Sequence, residues 1–184
     1  MTAKRQWQIV AAIVGVIAAA VWGTLHFYGD QFSPITVGSV APDFRGVTLD
    51  SEPSPKSLAD YKGQVVLVNI WATWCLPCER EMPMLQRLAE EYKAKGFRIV
   101  AVSVDSPGME RVIRDFIQRY GLTFDVLYDA DARIKLDYTT TGIPESFIVA
   151  KDGVIRYQHV GPIEENDAVQ VRALLDRLLA EPRE

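Results

Sequence analysis

The eight residues Gln64-Val65-Val66-Leu67-Val68-Asn69-Ile70-Trp71 constrain this chain more than any other stretch. The run is almost unbroken apolar and rich in β-branched side chains. A strand of that kind must be covered on both faces, as in the centre of a sheet flanked by helices. It leads straight into Ala72-Thr73-Trp74-Cys75-Leu76-Pro77-Cys78, which holds both cysteines of the chain. LPCEREMPMLQRLAEEYKAKG (76–96) follows, with Met82, Leu85, Leu88, Ala89 and Tyr92 at three- and four-residue steps. That spacing makes one apolar helical face. Lys93 and Lys95 suit its negative end, Gly96 is a natural terminator, and Pro83 should kink it.

The remaining pattern extends this unit. FRIVAVSVD (97–105) reads as a second buried strand and MERVIRDFIQRYG (109–121) as a helix ending at glycine. FDVLYD gives a short strand and ADARIKLDY a short helix. SFIVA and VIRYQHV flank Lys151-Asp152-Gly153, and Asp-Gly between β-rich runs signals a hairpin. Residues 164–180 close the chain as a helix with Ala168, Val171, Leu175 and Leu178 inward. Upstream, APDFRGVTLD is a first strand or hairpin, followed by the Ser/Pro-rich loop SEPSPKS at 51–57. The order βαβαβαββα means an α/β fold, a mixed sheet with helices on its faces.

Ahead of this lies a different composition. Lys4 and Arg5 precede IVAAIVGVIAAAVWGTL (9–25), which carries no charge. With Trp7 on one side and Trp22, Phe27 and Tyr28 on the other, the run reaches the roughly 17–25 residues of a bilayer-spanning helix. A cleaved signal peptide competes with this anchor, since Ala18-Ala19-Ala20 offers a small-residue cleavage site. Either reading exports the rest of the chain. A net charge of −4, with no basic block, gives no reason to expect nucleic-acid binding.

In an exported protein the two cysteines can be a staple, part of a metal site or a redox pair. A staple across two intervening residues removes little entropy from the unfolded chain. A tetrahedral metal site needs about four ligands, and the histidines are His26 beside the apolar run and His159 in a β-rich one. No metal or cofactor is expected. Redox chemistry fits better. Cys75 stands where a strand gives way to a helix N-terminus, which lowers a thiol below its free value of about 8.5. Cys78, one turn on and less exposed, can close a disulfide onto Cys75 and resolve a mixed disulfide. Pro77 stiffens the turn between them. Glu81 lies on the same helical face as Cys78 and can take its proton, or be one more acidic residue near a helix start, as Glu79 is.

These residues carry a resemblance. VVLVNIWATWCLPC, Pro83 and TGIPESFIVAKDG (141–153) resemble the thioredoxin superfamily. With the APDF opening, the extra segment around 105–128 and the apolar N-terminus, the chain is most similar to its TlpA/ResA-like branch of membrane-tethered thiol–disulfide oxidoreductases. The resemblance implies a thioredoxin-like three-layer α/β/α domain over 41–182. Before it come a cytoplasmic N-terminus over 1–8, a transmembrane signal-anchor over 9–28 and a linker over 29–40. It places the domain on the periplasmic side of a bacterial inner membrane.

The resemblance also assigns roles. Cys75 and Cys78 are the redox disulfide and Glu81 is a functional site residue. Pro144 is a cis-proline against the cysteines, with backbone groups of neighbours such as Ile143 pairing with the substrate chain. Trp74 and Pro77 belong to the surface around the site. Thioredoxin's buried aspartate is replaced by Asn69, which cannot take up a proton at neutral pH, so that task falls to Glu81. Pro144-Glu145-Ser146 resembles the Pro-Glu-Thr of CcmG/DsbE-like members. Glu145 is therefore either an acidic substrate-selecting group or a solvated residue at a strand start.

The implied activity is reduction of disulfides in exported proteins, apocytochrome c above all, with re-reduction by a membrane donor of the CcdA/DsbD type. A DsbA-like oxidant is the alternative. A thiol peroxidase would place proline and threonine where Val68 and Ala72 stand. A copper-binding module would space its cysteines by three.

Overall fold

In the computed structural model the residues described are 3–28, 35–49 and 53–182. Residues 29–34 of the expected linker, residues 50–52, and the side chains of Lys4, His26, Phe27 and Tyr28 lie outside that description. The chain divides between Pro34 and Ile35 into two units.

The first unit holds one helix, α1 (Ala3–Tyr28). Its apolar stretch, Arg5–Thr24, is 20 residues long. At 1.5 Å per residue that is about 30 Å, the thickness of a bilayer's hydrocarbon core. Trp7 and Trp22 are exposed. By length and composition α1 is a candidate membrane span.

The second unit opens with a small antiparallel hairpin, β1 (Arg45–Val47) against β2 (Pro55–Ser57). Pro55 therefore begins a strand where the composition suggests only loop; first position on a sheet edge is where proline's missing N–H costs nothing. The main elements follow as β3 (Val65–Trp71), α2 (Leu76–Tyr92), β4 (Phe97–Ser103), α3 (Glu110–Tyr120) and β5 (Asp125–Tyr128), then α4 (Arg133–Asp137), β6 (Glu145–Val149), β7 (Ile155–Val160) and α5 (Glu165–Ala180). The sheet runs β5-β4-β3-β6-β7. β3, β4 and β5 are parallel, whereas β6 and β7 run antiparallel to their neighbours. This is a thioredoxin-like α/β fold.

All seven residues of β3 are buried, as its composition requires. Val65, Leu67 and Trp71 pack on one face with α2, α3 and α5, while Val66, Val68 and Ile70 pack on the other with α4 and Phe44. Asn69 shares the parity of Leu67 and Trp71 and so faces α2. A one-residue slip of β3 would turn Asn69 away from α2 and exchange both hydrophobic sets.

Helix α2 buries Met82, Leu85, Leu88, Ala89 and Tyr92, the residues its spacing selects, and also Met84 and Gln86. Pro83 lies inside it and deprives the Glu79 carbonyl of its usual donor. The α-helix stops at Tyr92, earlier than the sequence suggests. A 3₁₀ turn, Lys93–Lys95, carries the chain to Gly96, whose φ of 93° only glycine adopts freely. In α5 the inward residues are Ala168, Val171, Leu174, Leu175 and Leu178.

Candidate active site

The fully buried β3 ends at Trp71, and the chain turns through Thr73 and Trp74 before α2 starts. Cys75 is the N-cap of α2, in extended backbone conformation, and its Sγ accepts the N–H of Cys78 at 3.2 Å. That bond and the helix's positive end both favour a thiolate on Cys75. The two sulfurs form a disulfide with Cα atoms 5.2 Å apart. Cys75 is 5% exposed and Cys78 fully buried, so only the first sulfur is open to a partner. Trp74 and Leu76, at 67% and 68% exposure, give that opening an apolar rim.

Ile143, Pro144 and Glu145 meet this site from the other side. The Ile143–Pro144 bond is cis, the isomer the resemblance implies. The Ile143 carbonyl oxygen lies 3.8 Å from Cys75 Sγ, placed to accept its S–H once the disulfide opens. Pro144 accepts the N–H of Gly161 at 2.8 Å, which ties the loop to the end of β7.

Glu145 is fully buried, which overturns the solvated alternative. Its two oxygens accept the backbone N–H of Thr141 at 2.9 Å and Gln158 Nε2 at 2.7 Å. A buried carboxylate needs such donors, because water cannot reach it. Glu145 thus braces the 141–144 turn.

Glu81 is buried one turn beyond Cys78. Its oxygens accept Asn69 Nδ2 at 2.9 Å and the N–H of Ile163 at 2.9 Å. Burial pushes its carboxyl up from 4.5 to about 7, while the Ile163 and Asn69 donors pull the other way. The neighbouring Glu79 accepts the Tyr120 hydroxyl instead. His159 lies half-buried in β7 with its ring stacked on Tyr157 at 6.1 Å, as its β-rich surroundings suggest. Among the described residues no cluster of His, Cys, Asp or Glu could hold a metal ion.

The sequence pattern of the Redoxin family matches residues 36–175, more than half of the chain. The chain belongs to the Redoxin family. Within it, the chain is 35% identical over 168 residues to the thiol–disulfide oxidoreductase ResA of Geobacillus kaustophilus, covering 89% of this chain and 94% of that protein. It is 36% identical over 167 residues to the thioredoxin-like protein YneN of Bacillus subtilis, covering 90% and 96%.

Two solved structures are also similar. A Chlorobium tepidum chain provisionally named as the thiol:disulfide interchange protein DsbE has a TM-score of 0.73 and 29% identity, over 79% of this chain and 99% of that one. StoA from Bacillus subtilis has a TM-score of 0.60 and 29% identity, over 73% and 96%. With Cys75 and Cys78 in place, this Redoxin-family chain is a thiol–disulfide oxidoreductase of the ResA/DsbE type.

Sequence reasoning passes over one residue beside the site. Asp105, 1% exposed, accepts the Thr73 N–H at 2.9 Å, the Thr73 hydroxyl at 2.7 Å and the Ser103 hydroxyl at 2.7 Å. It pins the turn that presents Trp74 and Cys75. An acidic residue at the end of an apolar run, as in Val102-Ser103-Val104-Asp105, is the signal that was there to find. Asp105→Ala should cost about 2–4 kcal/mol, because three donors lose a charged acceptor where water is scarce. Asp105→Asn should cost less than half of that. Urea unfolding of both variants checks this; equal losses would mean that a neutral amide restores nothing and that the carboxylate's charge and second oxygen carry the whole effect.

Proposed function

We propose that this oxidoreductase is a reductant of exported proteins, tethered to the bacterial inner membrane by α1. Its active domain then lies on the extracytoplasmic side. Disulfides in partner proteins, with the haem-site cysteines of apocytochrome c as leading substrate class, are opened by attack of Cys75. Cys78 resolves the mixed disulfide after giving its proton to Glu81. A membrane donor of the CcdA/DsbD type re-reduces the pair. Trp74, Pro77, Ile143 and Pro144 form the surface that receives the partner chain, and Glu145 supports it.

The observation that carries this reading is the disulfide between Cys75, slightly exposed at the N-cap of α2, and the fully buried Cys78, with Glu81 one turn further on. A strong oxidant such as DsbA has its reduced form stabilised. The direction toward reduction follows the resemblance to the TlpA/ResA-like branch, and the midpoint potential separates it from a DsbA-like oxidant. Resemblance to the TlpA/ResA-like branch supports the substrate class.

The midpoint potential of the full-length chain in detergent, equilibrated against dithiol–disulfide buffers, tests this reading. We expect a value near thioredoxin's, about −270 mV. A value near DsbA's, about −120 mV, would make the chain an oxidant. The tether has its own check: after an alkaline carbonate wash the chain should stay with the membranes, and complete release would remove the anchor.

A further inference from the structure

Glu81 is held by a small network whose parts can reverse their roles. Asn69 Nδ2 donates to Glu81 Oε1 at 2.9 Å and to Ser146 Oγ at 3.0 Å. Ser146 is the strand partner of Asn69 across β3 and β6. Ile163 N–H holds the second oxygen of Glu81. Asn69, Glu81 and Ser146 are each 1% exposed or less, and among the described residues the buried Asn69 Oδ1 has no hydrogen-bond partner. A buried acceptor left without a donor is destabilising, so an amide is an expensive way to hold one fixed carboxylate.

The expense makes sense if Glu81 changes its protonation. While ionised, Glu81 only accepts, and the Asn69 amide meets it with N–H. Once Glu81 carries a proton on Oε1, that arrangement sets donor against donor. Turning the amide over puts Oδ1 where Nδ2 was. The oxygen then accepts from the Glu81 O–H and from the Ser146 hydroxyl, which has itself turned from acceptor to donor. The three links Ile163–Glu81, Glu81–Asn69 and Asn69–Ser146 survive in both states, and the unpartnered position passes from Oδ1 to Nδ2. A valine or leucine at residue 69 could not do this, and an aspartate would compete for the proton.

We propose that Asn69 and Ser146 are positioning residues that keep Glu81 in one place through its proton cycle, the Asn69 amide turning over each time the proton comes or goes. The inference rests on Glu81 as the acceptor of the Cys78 proton. In that step Cys78 S–H gives its proton to Glu81, and the thiolate attacks Cys75 Sγ of the mixed disulfide. The Cys75–Cys78 bond forms, the bond to the partner's sulfur breaks, and the partner's sulfur leaves with the electron pair. That sulfur is then protonated by Glu81 or by water, which leaves Glu81 ionised when it is the donor.

Other ionisable groups surround the network without bonding to Glu81. On β6, Glu145 is engaged by Thr141 and Gln158. On β7, His159 is the strand partner of Ser146. On α2, Glu79 is held by Tyr120, and before α5 Glu164 caps its own helix. A His159→Gln control separates the imidazole from the effect sought.

The test follows the Asn69 side-chain amide by NMR in the oxidised full-length chain, 15N-labelled at asparagine and held in detergent micelles, from pH 5.5 to 8.5. Both N–H resonances should move together with one midpoint near 7 and stay still in Glu81→Gln. A fixed amide would move only the proton that faces Glu81, and that result overturns the inference.

In parallel, reduced chain is mixed with a symmetric aromatic disulfide, and the second thiolate released reports resolution by Cys78. Its rate should climb with pH through an inflection that Asn69→Leu moves up by about one pH unit, since the charged form loses a donor. An inflection that persists in Glu81→Gln would instead remove Glu81 as proton acceptor. An inflection that Glu81→Gln abolishes and Asn69→Leu leaves in place keeps Glu81 and overturns the role of Asn69.

Discussion

A Cys78→Ser chain should accumulate as a mixed disulfide with its substrates, joined through Cys75, and lose at least about 99.9% of its turnover. The geometry gives the reason. Cys75 is the sulfur with some exposure, stands at the positive end of α2 and accepts the N–H at residue 78. That N–H is backbone and survives the substitution, so the first attack remains intact. Nothing then reaches Cys75 Sγ from inside the protein, because the resolving sulfur is gone and Cys78 was fully buried behind it. Cys75→Ser should form no adduct at all. Non-reducing gels of both variants, incubated with a disulfide-bearing protein, read the difference. Equal adduct formation by the two variants would mean that Cys78 can make the first attack.

Much of this site is legible in the chain itself because its parts are local. A continuous apolar run, two cysteines and an amphipathic helix follow one another, and each obeys a short-range rule: burial on both faces, an N-cap, a three-to-four repeat. Hence β3, the Cys75 cap and the inward face of α2 are all where the pattern puts them. The long-range partners are not so written. Asn69 meets Ser146 across 77 residues and Glu81 meets Ile163 across 82, and no periodicity connects them.

Glu145 shows the limit most clearly. Directly after a proline, at the start of a strand, a glutamate reads equally well as solvated or as facing a partner. Only the placement of Gln158 on β7 and the curl of the chain back to Thr141 show that it is buried and satisfied. Pro55 misleads for the opposite reason: its composition says loop, and an edge strand tolerates it.

The second large effect expected is on stability. Glu81 has a folded value near 7 against an ordinary 4.5, chiefly because burial penalises its charged form. The folded chain therefore holds a proton there that the unfolded chain releases. Below about pH 4.5 both states are protonated and the stabilising contribution is complete; it declines as pH rises and is lost once pH passes the folded value near 7. The difference between the two values corresponds to about 3 kcal/mol.

Glu81→Gln removes the titration while keeping the shape of the side chain. The stability of the variant relative to wild type should therefore improve by about 3 kcal/mol between pH 4.5 and 7.5. Urea unfolding of the oxidised full-length proteins in detergent at several pH values measures this. Taking the difference between variant and wild type cancels the other carboxylates, and a difference that stays flat across that range would place the Glu81 value near an ordinary carboxylate's. The link to activity is direct. A carboxylate that the fold makes costly to ionise near neutrality is one that readily accepts a proton there, and Cys78 is the neighbour that has one to give.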